Sequence, residues 1–398
     1  MLRRDLLKLA AAAGPAVIAG HAWAMPQTST RLLVVFLRGA YDAANVVIPV
    51  SSDFYYQARP TIHINRPDPG DVNAALPLDA DWGLHPWLKD TLYPLWQKGQ
   101  VAFVPFAGVS DDLSRSHFET QDSIELGQPV QGSRDYRSGF LSRLYGQLSG
   151  KAQPIAFTDD MPLSFRGGRP VPNVSIDRVG KGGVDDRDAR LIEQMYQGQA
   201  LASSVAAGFQ TRTEVSEALS AEMMAASRGA VSPKGFELAG RRIGRLMQTD
   251  YNLAFVDVGD WDTHVNQGSA DGYLAQRLKP LGAGLAGFVD EIGPRAWNDT
   301  VVVVVSEFGR TFRENGDKGT DHGHGSVYWV MGGGIKGGRL AGDQVKVAAE
   351  TLNQNRDYQV LTDYRALLGG LFQRIYGLDQ TRLQTVFPQA QPKDLQIV

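Results

Sequence analysis

The chain has 398 residues, 43% hydrophobic and 21% charged, a balance that suits a soluble globular protein with a sizeable core. Its formal net charge of -3 provides no basic face for nucleic acid. Cysteine is absent, which excludes disulfides and thiolate metal sites, so any transition-metal site must draw on carboxylates and on the seven histidines.

Residues 1–24 open with adjacent Arg3 and Arg4, then Leu6, Leu7 and Lys8. An apolar, alanine-rich run extends from Leu9 to about Gly20, and Ala22-Trp23-Ala24 forms a small-x-small cleavage site. The run is too short to span a bilayer comfortably. The paired arginines resemble a twin-arginine signal, which implies export of an already folded protein. An ordinary secretory signal that holds two arginines is the alternative. Losing this segment removes three basic residues and one acidic residue, so the mature chain carries about -5 and six histidines. The expected organisation is a signal peptide at 1–24 and a single α/β domain at 25–398. That domain is periplasmic or secreted, with no membrane span after signal removal.

Four short apolar runs follow: Leu32–Leu37, Val101–Phe106, Leu253–Val258 and Val301–Val305. None alternates with period two, so each reads as a strand buried on both faces. Helical patterns cover about Trp87–Lys98, Arg137–Leu148, Asp188–Ala207, Val215–Ala226, Pro233–Thr249 and Asp271–Ile292, with a last one at Asp363–Ile375. Strands alternating with helices predict a mostly parallel, doubly wound α/β sheet flanked by helices, with a helical excursion at about 188–249. Val327–Met331 is strand-like and precedes a glycine-rich turn at Gly332–Gly338.

Open α/β sheets place their sites beyond the carboxyl ends of the strands. Arg38, Gly39 and Asp42 follow the first run; Ser110 to His117 follow the second; Asp260, Asp262 and His264 follow the third. Glu307 and Arg310 follow the fourth, and then comes Thr320-Asp321-His322-Gly323-His324-Gly325. Four of the six mature histidines fall in these segments. Two histidines one residue apart beside an aspartate suit a loop bent around a cation. Imidazole and carboxylate ligands suit Zn, Mn or Fe, with Mg or Ca where oxygen dominates. Each segment also has a plainer reading. Asx-turns account for Asp262, helix capping for Asp42 and Ser116, and an ion pair with Arg310 or Arg38 for Glu307. His63 and His85 read as structural. There is no G-x-S-x-G elbow, P-loop or G-x-G-x-x-G after the first strand, so serine-esterase, P-loop and dinucleotide readings lose ground.

Five motifs together are distinctive: Leu37–Asp42, Ser114–Phe118, Trp261–His264, Ser306–Thr311 and Gly319–Gly325. They resemble the exported "domain of unknown function 1501" family, itself similar to the alkaline phosphatase and sulfatase superfamily. The resemblance implies an alkaline-phosphatase-like sheet with one or two divalent metals at its carboxyl edge and a nucleophile that attacks an ester. It matches Asp42 to a first-strand carboxylate ligand, and Asp262 with His264 to a later acid and His, Asp260 being the rival acid. His324, or His322, matches the late His ligand. Glu307 stands where an Asp-His pair is usual, with Phe308 in place of that His.

Two functions follow as expectations. The first is a periplasmic metal-dependent hydrolase of phosphate or sulfate esters. Its divalent metal (Zn, Mn, Mg or Ca) is held by Asp42, Asp262, His264, Glu307, Asp321, His322 and His324. Ser116 or Ser114, or a metal-activated water, attacks, while Arg38 and Arg310 grip a small anionic ester. The second is a non-catalytic exported binding or assembly protein that keeps the fold, with one metal or none, and binds a protein partner in the envelope. Nucleic acid is not an expected partner of either.

Overall fold

The computed structural model describes residues 30–148, 150, 152–176, 186–210 and 235–398. The signal segment at 1–24 and the expected helix Val215–Ala226 lie outside the described residues. The strands are β1 (Arg31–Leu37), β2 (Val47–Ile48), β3 (Leu76–Pro77), β4 (Gly83–Leu84), β5 (Val101–Gly108), β6 (Pro154–Phe157), β7 (Leu253–Val258), β8 (Thr300–Ser306), β9 (Ser326–Met331), β10 (Arg339–Leu340) and β11 (Thr362–Asp363). The main sheet has the order β10-β5-β9-β8-β1-β7-β6, with β11 also paired to β5. All its pairs are parallel except those of β9, which runs antiparallel to both β5 and β8. The small sheet β2-β4-β3 is antiparallel.

The continuous apolar runs have a direct physical cause. In β1, Leu33, Val35 and Leu37 enter one core, while Leu32, Val34 and Phe36 enter the other. β8 divides its five valines in the same way. Successive side chains point to opposite faces of a strand, and here both faces are covered, so no polar alternation survives. The first core is roofed by helices Phe236–Thr249 and Tyr273–Asn298, the second by Phe140–Gln147 and Tyr364–Tyr376.

Helix boundaries shift from the sequence reading for local reasons. The pattern at Trp87–Lys98 splits into a 3-10 turn at Pro86–Leu88 and a helix at Leu92–Gln97, so Pro94 falls in a first turn, where a missing N–H costs little. The pattern beginning at Asp271 runs on to Asn298, across a kink at Gly293 (φ 75°) before Pro294. In the helical excursion, Asp186–Tyr196, residues 202–210 and Phe236–Thr249 are helical. β6 is a strand too short to be singled out in the sequence. Among the described residues no helix is long and apolar enough to cross a membrane.

Candidate metal centre at the carboxyl edge of the sheet

Topology decides which loops meet. β1, β7 and β8 are parallel and in register, Leu37 lying beside both Val258 and Ser306, so the chain leaves all three at one edge. β9 runs the opposite way, which puts the loop before it, His322 to Gly325, at that same edge. β5 is antiparallel to β9 and so ends there too, delivering Ser110 to His117. The helix His117–Leu126 starts in that loop and is closed by Gly127 in the left-handed conformation.

Three imidazoles converge. His322 Nε2 lies 2.9 Å from His117 Nε2 and 3.0 Å from His264 Nε2. Asp262 closes the group, with Oδ1 at 3.1 Å from His264 Nε2 and Oδ2 at 3.6 Å from His117 Nε2. His117, Asp262 and His322 each present a ligand atom within 4.8 Å of the other two.

The opposite ring nitrogens are all anchored. His117 Nδ1 lies 2.8 Å from Glu307 Oε1, His264 Nδ1 lies 3.2 Å from Asp321 Oδ1, and His322 Nδ1 lies 2.9 Å from the Arg115 carbonyl. A carbonyl only accepts, so His322 must carry its proton on Nδ1. Burial resists the charge on Glu307, yet donors from His117, Gln121 and Gly39 outweigh it and leave its pKa below the ordinary value. Burial likewise opposes Asp321, and Asn315 and His264 more than offset it. The Glu307 and Asp321 carboxylates are acceptors for the Nδ1–H tautomers of His117 and His264, while Asp262 Oδ1 faces His264 Nε2 at 3.1 Å as a rival acceptor. In those tautomers the three Nε2 atoms turn their lone pairs inward, with His322 Nε2 at 2.9–3.0 Å from the other two, and Arg310 Nη1 donates to that of His264 at 3.4 Å. Protonation of His322 is disfavoured, first by its burial and then by the neighbouring imidazoles and Arg310. His117 and His322 with Asp262 form a group whose ligand atoms one cation could share, and His264 Nε2 adjoins that group at His322. Metal-bound histidines are anchored through their second nitrogen in this way, so the donor set fits a divalent transition metal.

The surroundings support that geometry. Gly39 (φ 115°) donates its N–H to Glu307 at 2.8 Å, and a Cβ there would stand 2.8 Å from Asp262 N and 2.9 Å from Trp261 N. The close approach of the β1 and β7 exits therefore requires glycine. Phe308 places its ring 5.0 Å from that of His117 and 5.1 Å from that of His322, an apolar wall behind the two imidazoles. Exposure rises across the cluster from 0% for the Glu307 side chain to 40% for His264 and 46% for Asp262, so the open side is the Asp262 side. Gln121 bridges Glu307 (2.9 Å) and Arg38 (3.0 Å), and both Gln121 and Arg38 line a cleft of about 630 Å³ beyond the ends of β6 and β7.

Several expected site residues sit elsewhere. Asp42 is fully buried against Arg59, at 2.5 and 3.0 Å, and does not reach the cluster. Glu307 and Asp321 face the Nδ1 side of the imidazoles, so their carboxylates hold the rings from behind and do not join the convergence of Nε2 atoms. His324 is buried against the Asp112 backbone and near Asp357. Asp260 pairs with Arg277 at 3.5 Å. The two arginines expected to grip an anion are engaged by the protein. Arg38 bonds Asp257, Gln121 and Glu125, while Arg310 bonds Asp262, His264 Nε2 and the carbonyls of Gly39, Ala40 and Thr320. Ser114 is exposed, its hydroxyl accepting the Ser116 N–H at 3.3 Å, and Ser116 caps the helix through its position without a side-chain bond. His117 was not in the expected ligand set. Its signal was its place among the four post-strand histidines, whereas the Arg115 carbonyl left no trace in residue identities.

The chain matches the family model described as "Protein of unknown function (DUF1501)" over residues 29–387. It belongs to that family. Similar solved structures include a protein in the alkaline phosphatase superfamily from Vibrio parahaemolyticus, with 15% identity, a TM-score of 0.35, and coverage of 77% of this chain and 62% of that one. Another is Ps i-CgsB in complex with k-i-k-neocarrahexaose, with 9% identity, a TM-score of 0.35, and coverage of 76% and 65%. A third is a 2-O GAG sulfatase, with 11% identity, a TM-score of 0.31, and coverage of 92% and 75%. This family member thus spans less than two thirds of the length of the first two. No curated protein matches the chain.

Proposed function

We propose that this protein is a metal-dependent hydrolase of phosphate or sulfate esters, exported through the twin-arginine route and acting outside the cytoplasm. The observation that carries the reading is the convergence of three imidazole Nε2 atoms with the Asp262 carboxylate. His117, His264, His322 and Asp262 would hold one divalent ion. Three nitrogens and one carboxylate favour Zn, Mn or Fe over the oxygen-seeking Mg and Ca. Such an ion, when bound, supplies Lewis-acid polarisation of an ester oxygen and lowers the pKa of a coordinated water.

The chain's own residues do the rest. Glu307 and Asp321 keep the imidazoles in the Nε2-acceptor tautomer, and Arg310 orients Asp262. The exposed side of Asp262 and His264 admits the ester, and the adjoining cleft accommodates its organic part. Ser116, at the start of the helix that bears His117, is the candidate side-chain nucleophile, with Ser114 as the alternative.

The test is elemental analysis of the exported protein, then hydrolysis of aryl phosphate and aryl sulfate esters before and after chelation. Stoichiometric metal and chelator-sensitive turnover are expected, both lost in His322→Ala. A wild-type protein that binds no divalent metal refutes the reading. The engagement of Arg38 and Arg310 by protein groups favours the second reading, a non-catalytic protein that binds an envelope partner. Stoichiometric metal without turnover on either ester class selects it.

A further inference from the structure

We infer that Gln267 is a positioning residue that clamps the two ligand-bearing turns together, and that the buried Arg59–Asp42 pair holds this clamp in place. The inference rests on the metal centre proposed above. Gln267 is fully buried. Its Oε1 accepts from the Thr263 hydroxyl at 2.8 Å and from the Thr320 hydroxyl at 3.0 Å. Thr263 lies between Asp262 and His264, and Thr320 directly precedes Asp321 and His322. One amide oxygen therefore ties both turns, and the Thr320 N–H adds a backbone bond to the Thr263 carbonyl at 3.0 Å.

The other end of the amide fixes the clamp to the scaffold. Gln267 Nε2 donates to Asp42 Oδ2 at 2.6 Å, and Asp42 receives both Nη atoms of Arg59. Arg59 is itself fully buried and donates to the carbonyls of Phe312 (2.8 Å) and Thr311 (3.1 Å). Thr311 closes the circuit, exchanging bonds with the backbone of Asp321 at 2.9 and 3.0 Å. The network thus grips the Asp321–His322 turn from two sides and the Asp262–His264 turn from one. Only a primary amide meets these demands, because it accepts two hydroxyls while donating to a carboxylate. A glutamate of the same shape would set a second carboxylate against Asp42. Stability alone does not call for such a network, since apolar replacements of buried ion pairs are often neutral.

The experiment uses Co²⁺ as the probe on the full chain, with affinity read by competition against a chromophoric chelator and ligand geometry read from the visible absorption of the bound ion. Thermal unfolding of the metal-free protein reports on folding separately. Gln267→Met, close in volume, is expected to weaken Co²⁺ binding by roughly 10- to 100-fold and to change the absorption bands, as loss of outer support does at metal sites. Thr320→Val deletes one hydroxyl at nearly constant volume and is expected to give a smaller loss in the same direction. Binding and spectra within about two-fold of wild type in both variants overturn the inference. If Gln267→Met fails to fold, Thr320→Val decides the question by the same criteria. A wild-type protein that fails to bind Co²⁺ overturns the metal centre and this inference together, whereas unaffected variants of a binding wild type overturn this inference alone.

Discussion

Glu307 probes the proposed metal centre from behind, through the Nδ1 side of His117. Its buried carboxylate accepts from Gly39 N at 2.8 Å, His117 Nδ1 at 2.8 Å, Gln121 Nε2 at 2.9 Å and Ser306 Oγ at 3.0 Å. In Glu307→Gln the amide oxygen takes the place of Oε1 and retains the first three donors, while the amide NH₂ turns to the Ser306 hydroxyl. Shape is kept and charge is lost. Hydrogen bonds to an ionised acceptor are roughly twice as strong as neutral ones, so the His117 contact loses about 1 kcal/mol. The imidazole becomes less basic, and divalent-metal affinity is expected to fall about 10-fold while the fold persists. Glu307→Ala is a different perturbation, because it leaves the three donors of Oε1 unpartnered in a dry site. At about 1–3 kcal/mol each, the loss approaches the stability of an entire domain, about 5–15 kcal/mol. The alanine variant is expected to be insoluble or to unfold far below the wild type. The assays are metal competition titration and thermal unfolding of the metal-free protein. Wild-type affinity in Glu307→Gln, or wild-type stability in Glu307→Ala, refutes the reasoning.

Three further outcomes are expected. Gly39→Ala forces a Cβ to within 2.8 Å of Asp262 N at a φ of 115°, so metal affinity and stability should both fall; an alanine variant that binds metal normally contradicts the close-approach argument. Arg59→Met leaves the buried Asp42 carboxylate with Gln267 as its remaining donor, and chemical denaturation should show a loss of about 3–5 kcal/mol, restored only in part by the double variant Arg59→Met with Asp42→Leu, which leaves the Gln267 amide without its acceptor. His85 is fully buried, and burial pushes its pKa down from 6.5 to about 4 against the weaker pull of its Ser269 contact and the charges of Asp271 and Asp42. Because the folded pKa is depressed, the unfolded chain takes up a proton first, and folding stability should fall as the pH drops from 6.5 to about 4. The loss amounts to about 3 kcal/mol, and His85→Asn should flatten that slope in urea titrations across this pH window.

Much of the architecture was legible because strand burial is written locally. LLVVFL and the five-valine run read as strands covered on both faces, and β1 and β8 indeed divide their side chains between two cores. The post-strand segments were equally legible, since parallel strands deliver their exits to one edge, and Asp262, His264 and His322 were picked out there. Asp42 misled because an acid after a first strand looks the same whether it faces a metal or an arginine, and Arg59 is 17 positions away. His324 misled because two histidines one residue apart in an irregular loop need not face one way. His322 joins the cluster while His324 turns towards Asp112.

By itself, then, the order of residues determined which long apolar runs are strands, which edge they share and which polar groups arrive there. Those features depend on spacing and on burial propensity within a few residues. Only the tertiary structure decided which atoms meet. The direction of each imidazole is set by what faces its Nδ1 atom, and those groups are Glu307, Asp321 and the Arg115 backbone, brought in from up to 207 positions along the chain. A carbonyl that orients a histidine has no side-chain identity, so nothing in the amino-acid letters announces it.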